Sequence, residues 1–252
     1  MTSVVLDNVS VSFPIYDGRH RSLRHAVMKA TTGGRVAAGA RNRVTIQALS
    51  EVSFALHEGD RVALVGHNGA GKTTLLRVLA GIYRPVTGTI TTHGRIAPLF
   101  DVSLGMHPDA TGWENIRIRA LYLGMKSDEI ARKLDDIAAF TELGPFLDMP
   151  LRTYSLGMHT RLAFAVSTAI EPEILLLDEG IGAGDAAFIE KANSRLDDFV
   201  RSAGVMVFAS HASELVRRFC NKAIVMEHGR VQFFGATEEA LAFYAQMPPA
   251  PI

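Results

Sequence analysis

"RVALVGHNGAGKTTLLRVLAGI", residues 61–82, decides how the rest of the chain is read. Arg61 to Val65 is a short apolar run without alternation, as expected of a strand buried on both faces of a parallel sheet. "GHNGAGKT", Gly66 to Thr73, follows it, and a helical pattern runs from Lys72 to Ile82. This is G-x-x-x-x-G-K-[ST] set between a strand and a helix, the context that the motif requires. Gly66, Gly69 and Gly71 let the loop turn its backbone N–H groups, with those of His67, Asn68 and Ala70, toward phosphate oxygens. The helix start at Lys72, Thr73 and Thr74 adds positive potential. Lys72 is placed to reach the β- and γ-phosphates of a nucleotide, and the Thr73 hydroxyl to bind Mg²⁺. A chance glycine-rich turn would lack the strand and helix that flank it.

A second short apolar run, "ILLLDE" (174–179), delivers Asp178 to a strand end, where open α/β sheets bind ligands. Asp178 would hold Mg²⁺ through water. Glu179, the next residue, would orient or deprotonate an attacking water, a solvated carboxylate being the plainer reading. "VMVFAS" (205–210) reads as a strand beside that of Asp178 and ends at His211. His211 is then either a contact to the γ-phosphate or its water, or a structural hydrogen bonder.

Elsewhere "SVVLDNVSVSF" (3–13) reads as an edge strand, and "GTITTHGRIAPLF" (88–100) as strand, turn and strand. From 112 to 170 the pattern is helical. Ser155 is placed to cap a helix that Pro172 ends. "AIVMEHGRVQFFG" (223–235) reads as a hairpin turning at His228-Gly229. The expected organisation is one domain over 1–247, with a helical part at about 105–170 and a Pro-rich tail over 248–252.

Hydrophobic residues make up 48% of the 252, enough for a sizeable core and against disorder. Lys plus Arg and Asp plus Glu are equal at 26 each, so net charge points to no polyanion or nucleic-acid partner. A single cysteine, Cys220, excludes an intrachain disulfide framework and suits a reducing compartment. The histidines lack H-x-x-x-H or Cys/His zinc spacing. No apolar run approaches the roughly 20 residues of a spanning helix, and no signal-peptide pattern is visible. Residues 17–46 hold seven Lys/Arg against one acid, which suits a solvated loop or contact with lipid headgroups or a membrane partner.

"TYSLGMHTRLAF" (153–164) starts a helix but offers no nucleophile, carboxylate pair or metal ligands. Its place in the order "GHNGAGKT", "YSLGM", "ILLLDE", "GIGAGD", "SH" resembles an ABC-transporter ATPase subunit, from about residue 4 to 235. The resemblance implies an α/β fold. A P-loop NTPase core with a mainly parallel sheet would carry an N-terminal antiparallel β subdomain and a helical subdomain bearing the signature turn. It implies ATP and Mg²⁺ as ligands, ATP hydrolysis as the activity, and ATP sandwiched between two copies. Ser155, with Leu156, Gly157 and Met158, would then act in trans on the γ-phosphate held by the other copy. Asp185 of "GIGAGD" matches the aspartate that communicates across the dimer. Phe13 matches the adenine-stacking aromatic, with Tyr16 as competitor and simple edge-strand packing as the alternative for either.

The Y-S-x-G-M turn departs from the usual L-S-G-G-Q and is similar to the branch that exports polysaccharides such as O-antigen, capsule and teichoic acid. "PLFDVSLGMHPDATGWENI" (98–116) resembles that branch's Q-loop, with Asp101 where most relatives carry glutamine, and Asp101 is the third candidate Mg²⁺ contact. The resemblance implies a separate transmembrane permease and a peripheral place on the cytoplasmic face of the inner membrane, reached mainly through that permease. Some members carry an extra C-terminal β-sandwich, which is not expected within these 252 residues. Substrate choice would then rest with the permease. Three rivals remain: an ABC ATPase acting on DNA or ribosomes, a nonhydrolysing subunit, and a transporter of another substrate.

Overall fold

The computed structural model describes residues 1–15, 36–38, 44–100, 104–178 and 186–248. Glu179, Asp185, Asp101 and Tyr16 lie outside the described residues, as does most of the basic segment. The chain divides into two compact units, one of Met1, 3–93 and 207–252, the other of Thr2 and 94–206.

The first unit holds an antiparallel sheet built on β1 (Ser3–Ile15), β2 (Val36–Ala38), β3 (Val44–His57) and β5 (Thr87–His93), in the order β2-β3-β1-β5. The alternation in β1 suggested an edge, and the structure corrects this. β1 pairs with β3 from Ser3↔His57 to Ile15↔Val44 and with β5 from Ser3↔His93 to Ser10↔Thr87. Alternation reports one buried face, here Val4, Leu6, Val9 and Val11, and says nothing about the hydrogen-bonded edges. The same unit contains β4 (Arg61–Val65), helix α1 (Lys72–Leu79), helix α6 (Ser213–Phe219), β9 (Lys222–Glu227), β10 (Arg230–Ala236) and helix α7 (Thr237–Ala245). β4 runs parallel to β9, and β9 pairs antiparallel with β10. Strand β8 (Val205–Ala209) contributes its last three residues to this unit. Val62 to Val65 are buried, as their uninterrupted apolar run requires.

α1 stops earlier than the periodicity suggests. Gly81 sits at φ 73 just past Leu79, and its N–H bonds the Val78 carbonyl. A glycine in the left-handed region ends helices in this way.

Among the described residues, the second unit contains β6 (Ile96–Leu99), β7 (Ile174–Asp178) and the α-helices α2 (Gly112–Tyr122), α3 (Ser127–Thr141), α4 (Leu156–Ser167) and α5 (Ala186–Ser202). β6 and β7 are parallel, with Ile96 opposite Ile174 and Leu99 opposite Leu177. The rings of Phe140, Phe164 and Phe188, one each from α3, α4 and α5, lie 5.7–6.2 Å apart as a three-way cluster. Such contacts add to the area these rings bury. Arg119 is 2% exposed and joins α2 to α4, its Nη2 and Nε donating to Ser167 Oγ at 2.9 and 3.2 Å. It also donates to the Leu104 carbonyl. α4 ends at Ser167, well before Pro172, with Thr168 as its C-cap and the Thr168 hydroxyl donating back to the Phe164 carbonyl at 2.9 Å.

Candidate functional site

The loop from Gly66 to Gly71 runs through backbone angles open mainly to glycine: φ 153, 77 and 109 at Gly66, Gly69 and Gly71. Space is as restrictive as φ. A Cβ on Gly66 would lie 2.3 Å from the Met226 carbonyl oxygen. The tight loop places Gly71 as the N-cap of α1, and Leu75 N–H bonds its carbonyl at 2.9 Å. Glycine offers no side chain to cap the first turn, so the helix start is shaped to receive an anion. Lys72 lies across the loop, its Nζ donating to the carbonyls of Gly66 and His67, the latter at 3.2 Å. The ammonium is thus held at the mouth of the cradle. Asn68, Gly69 and Thr73 are exposed, Ala70 is buried and Thr74 is partly covered. A glycine cradle with a lysine across it and a threonine at the helix start fits a nucleotide's phosphates.

Beneath the loop sits the β9–β10 turn, which the sequence marked only as a hairpin. His228 and Gly229 have φ 49 and 77, both positive, as a two-residue hairpin turn requires. Gly229 N–H donates to the Ala70 carbonyl at 2.8 Å, and its own carbonyl accepts from Ser50 N–H at 2.8 Å. A Cβ there would lie 2.4 Å from the Ala48 carbonyl oxygen. Gly229→Val is therefore expected to destabilise the protein by about 2 kcal/mol or more and to loosen the phosphate loop. Urea unfolding and ATP titration of the variant check both effects. Wild-type values in both would remove the turn from the loop's support.

Phe13 is partly covered, and its ring meets Tyr83 edge-on at 5.0 Å. Arg77 in turn donates to the Tyr83 hydroxyl at 3.3 Å. The sequence did not single out Tyr83, which follows α1. His211 is exposed just after β8. Cys220 is buried, and burial pushes its thiol up to about 12, so it stays protonated and takes no part in nucleophilic chemistry.

In the second unit Asp178 is the last, partly exposed residue of β7, as the apolar run before it led one to expect. The turn over 154–158 is exact in its local geometry and open above. Ser155 is the N-cap of α4 with extended backbone, its Oγ accepting from Met158 N–H at 3.2 Å. Leu156 is 72% exposed, and a Cβ on Gly157 would meet only Ser155 Oγ, at 3.9 Å. Below the turn, Tyr154 donates its hydroxyl to the Phe146 carbonyl at 2.7 Å and lies so close to Gly112 that a Cβ there would be 2.3 Å from it. Burial and the nearby Asp148 hold the Tyr154 phenol above its ordinary pKa, so it remains a donor. Rigid below and bare above, the turn is suited to meet something outside its own unit.

Among the described residues, no group of three His, Cys, Asp or Glu could hold a metal by itself, and no helix is long and apolar enough to cross a membrane. The family described as "ABC transporter" matches residues 49–182. An O-antigen export system ATP-binding protein, RfbE of Yersinia enterocolitica, is 46% identical over 231 residues, 92% of this chain and 97% of its own. RfbB of Myxococcus xanthus, of the same description, is 37% identical over 98% of this chain, which spans 56% of that longer protein. In structure the chain is similar to the ATP-binding cassette MJ0796 solved as a dimer in a post-hydrolysis state with ADP and Pi. The TM-score is 0.62 and the identity 21%, covering 93% of this chain and 98% of that one.

Proposed function

The chain belongs to the ABC transporter family, as an ATP-binding, ATP-hydrolysing α/β domain, and from that premise we propose that it powers a separate transmembrane exporter of a lipid-linked polysaccharide. The observation that carries the reading is the glycine cradle of 66–71 with Lys72 across it, in a chain nearly half identical to an O-antigen export ATP-binding protein over almost the full length of both. Lys72 and the loop N–H groups bind and orient the phosphates of ATP. Phe13 stacks on the adenine. Glu179 orients or deprotonates the attacking water, and His211 contacts the γ-phosphate or that water. Thr73 and Asp178, with Asp101 as a third candidate, would hold Mg²⁺, which neutralises charge on the phosphates when bound. Two copies work together, Ser155 and Gly157 of each facing the nucleotide of the other, with Asp185 at their interface. A permease holds the pair on the cytoplasmic face of the inner membrane.

The test is cellular. In a strain lacking this protein and any second copy of its gene, lipid-linked polysaccharide is expected to accumulate inside the cell while its synthesis continues. Extraction of the lipid fraction alongside surface-polysaccharide gels measures both. A normal surface coat in that strain ends the export reading and leaves the ATPase assignment standing.

A further inference from the structure

The phosphate loop has a support that its motif does not contain. His67 Nδ1 lies 3.3 Å from the hydroxyl of Tyr244 on α7, and the two rings approach with centroids 5.3 Å apart. His67 Nε2 is buried and makes no hydrogen bond, so among the described residues Tyr244 is the ring's polar partner. An imidazole left without a partner in such a place is costly, which gives this one contact weight. Burial holds the Tyr244 hydroxyl protonated, so it donates to Nδ1 or accepts from Nδ1–H according to the His67 tautomer, and the two side chains are joined either way. The other end of the contact is firm. α7 buries Ala240 and Leu241, Thr237 donates its hydroxyl to the Cys220 carbonyl at 2.9 Å, and Phe243 stacks on Phe233 at 5.3 Å. On the loop side, the carbonyl of the same His67 receives Lys72 Nζ.

We propose that Tyr244 is a positioning residue for the phosphate loop: by holding the His67 side chain it fixes the loop carbonyl on which the Lys72 ammonium rests, and so makes the C-terminal helix part of the nucleotide site. The inference rests on the nucleotide reading of Gly66–Thr73 given above. Tyr244 touches no phosphate. It acts on binding, through His67, before any chemistry. Its removal therefore raises KM for ATP more than it lowers kcat.

The experiment uses the purified chain, calorimetric titration with Mg-free ATP, and steady-state hydrolysis. Tyr244→Phe keeps the ring and loses the hydroxyl, and is expected to weaken ATP binding by about 2- to 10-fold, the range of one lost hydrogen bond. In a His67→Phe background the same change is expected to have almost no further effect, because the partner is already gone. A second readout does not depend on the variants' folding. In ¹⁵N-histidine-labelled wild-type protein, the ring signals of His67 shift when ATP is added. ATP affinity in Tyr244→Phe equal to the wild type, full additivity of the two changes, or His67 signals that ATP leaves in place would each overturn the proposal. Wild-type protein that binds no ATP would instead overturn the nucleotide reading on which it stands.

Discussion

Lys72→Ala is expected to cut ATP turnover by about 10²-fold or more, several kcal/mol of lost transition-state stabilisation. The reason lies in where the charge is needed. The backbone N–H groups of the loop carry only partial charges, and the helix start adds about half an elementary charge. Lys72 supplies a full charge on a flexible stem, and the structure holds that stem over the loop through the carbonyls of Gly66 and His67. Those carbonyls are weak competitors for an ammonium compared with a triphosphate, so the lysine is restrained without being committed. Alanine removes both the charge and the tether, and the two losses separate experimentally. Lys72→Met keeps most of the stem without charge. If turnover falls equally in both variants while thermal unfolding is unchanged, charge is the cause. Wild-type turnover in either variant would end the assignment of the loop.

The strands that carry this loop and Asp178 were legible because their physics is local. A strand buried on both faces needs an unbroken apolar run, and "RVALV" and "ILLLD" have no other use for one. The hairpin at His228-Gly229 was legible too, since two adjacent residues at positive φ suit a glycine. What that hairpin supports was not legible. Gly229 bonds Ala70 across more than 150 residues, and no spacing rule connects them. The same holds for Tyr244 and His67, and for Tyr83 and Phe13, pairs far apart in the chain that the fold brings together. β1 was misplaced at an edge because hydrophobic pattern records which face is covered, whereas strand order is settled by partners elsewhere in the chain. The bare Ser155 turn is the opposite case. Its N-cap geometry was readable from one serine. The reason proposed for its exposure comes from the family, since among the described residues a Cβ on Gly157 would meet only Ser155 Oγ, at 3.9 Å.

That exposure leads to the second large effect. Gly157→Asp is expected to abolish the closed ATP-bound pair of subunits, and with it nearly all coupled hydrolysis, while leaving the isolated subunit folded. Within its own copy the change is mild. A Cβ on Gly157 meets nothing closer than Ser155 Oγ at 3.9 Å, and a carboxylate in the first turn of α4 is favoured by the helix dipole. Stability should therefore hold or rise slightly, which separates this variant from one that merely unfolds. In the proposed pair the change is severe, since a negative side chain would occupy the space that the proposal gives to the other copy's γ-phosphate and would repel it. The closed state is made observable by Glu179→Gln, which keeps the size of the side chain and removes the charge proposed to prepare the water. That variant is expected to bind ATP, turn it over slowly and accumulate as a dimer. Analytical ultracentrifugation of Glu179→Gln with Mg-ATP, repeated with the permease present, gives the reference. Adding Gly157→Asp should return it to monomers while calorimetry still detects ATP on each chain, because the phosphate loop is untouched. A double variant that still dimerises would mean that the turn does not act across the interface. One that fails to bind ATP at all would mean that the turn serves the nucleotide of its own copy.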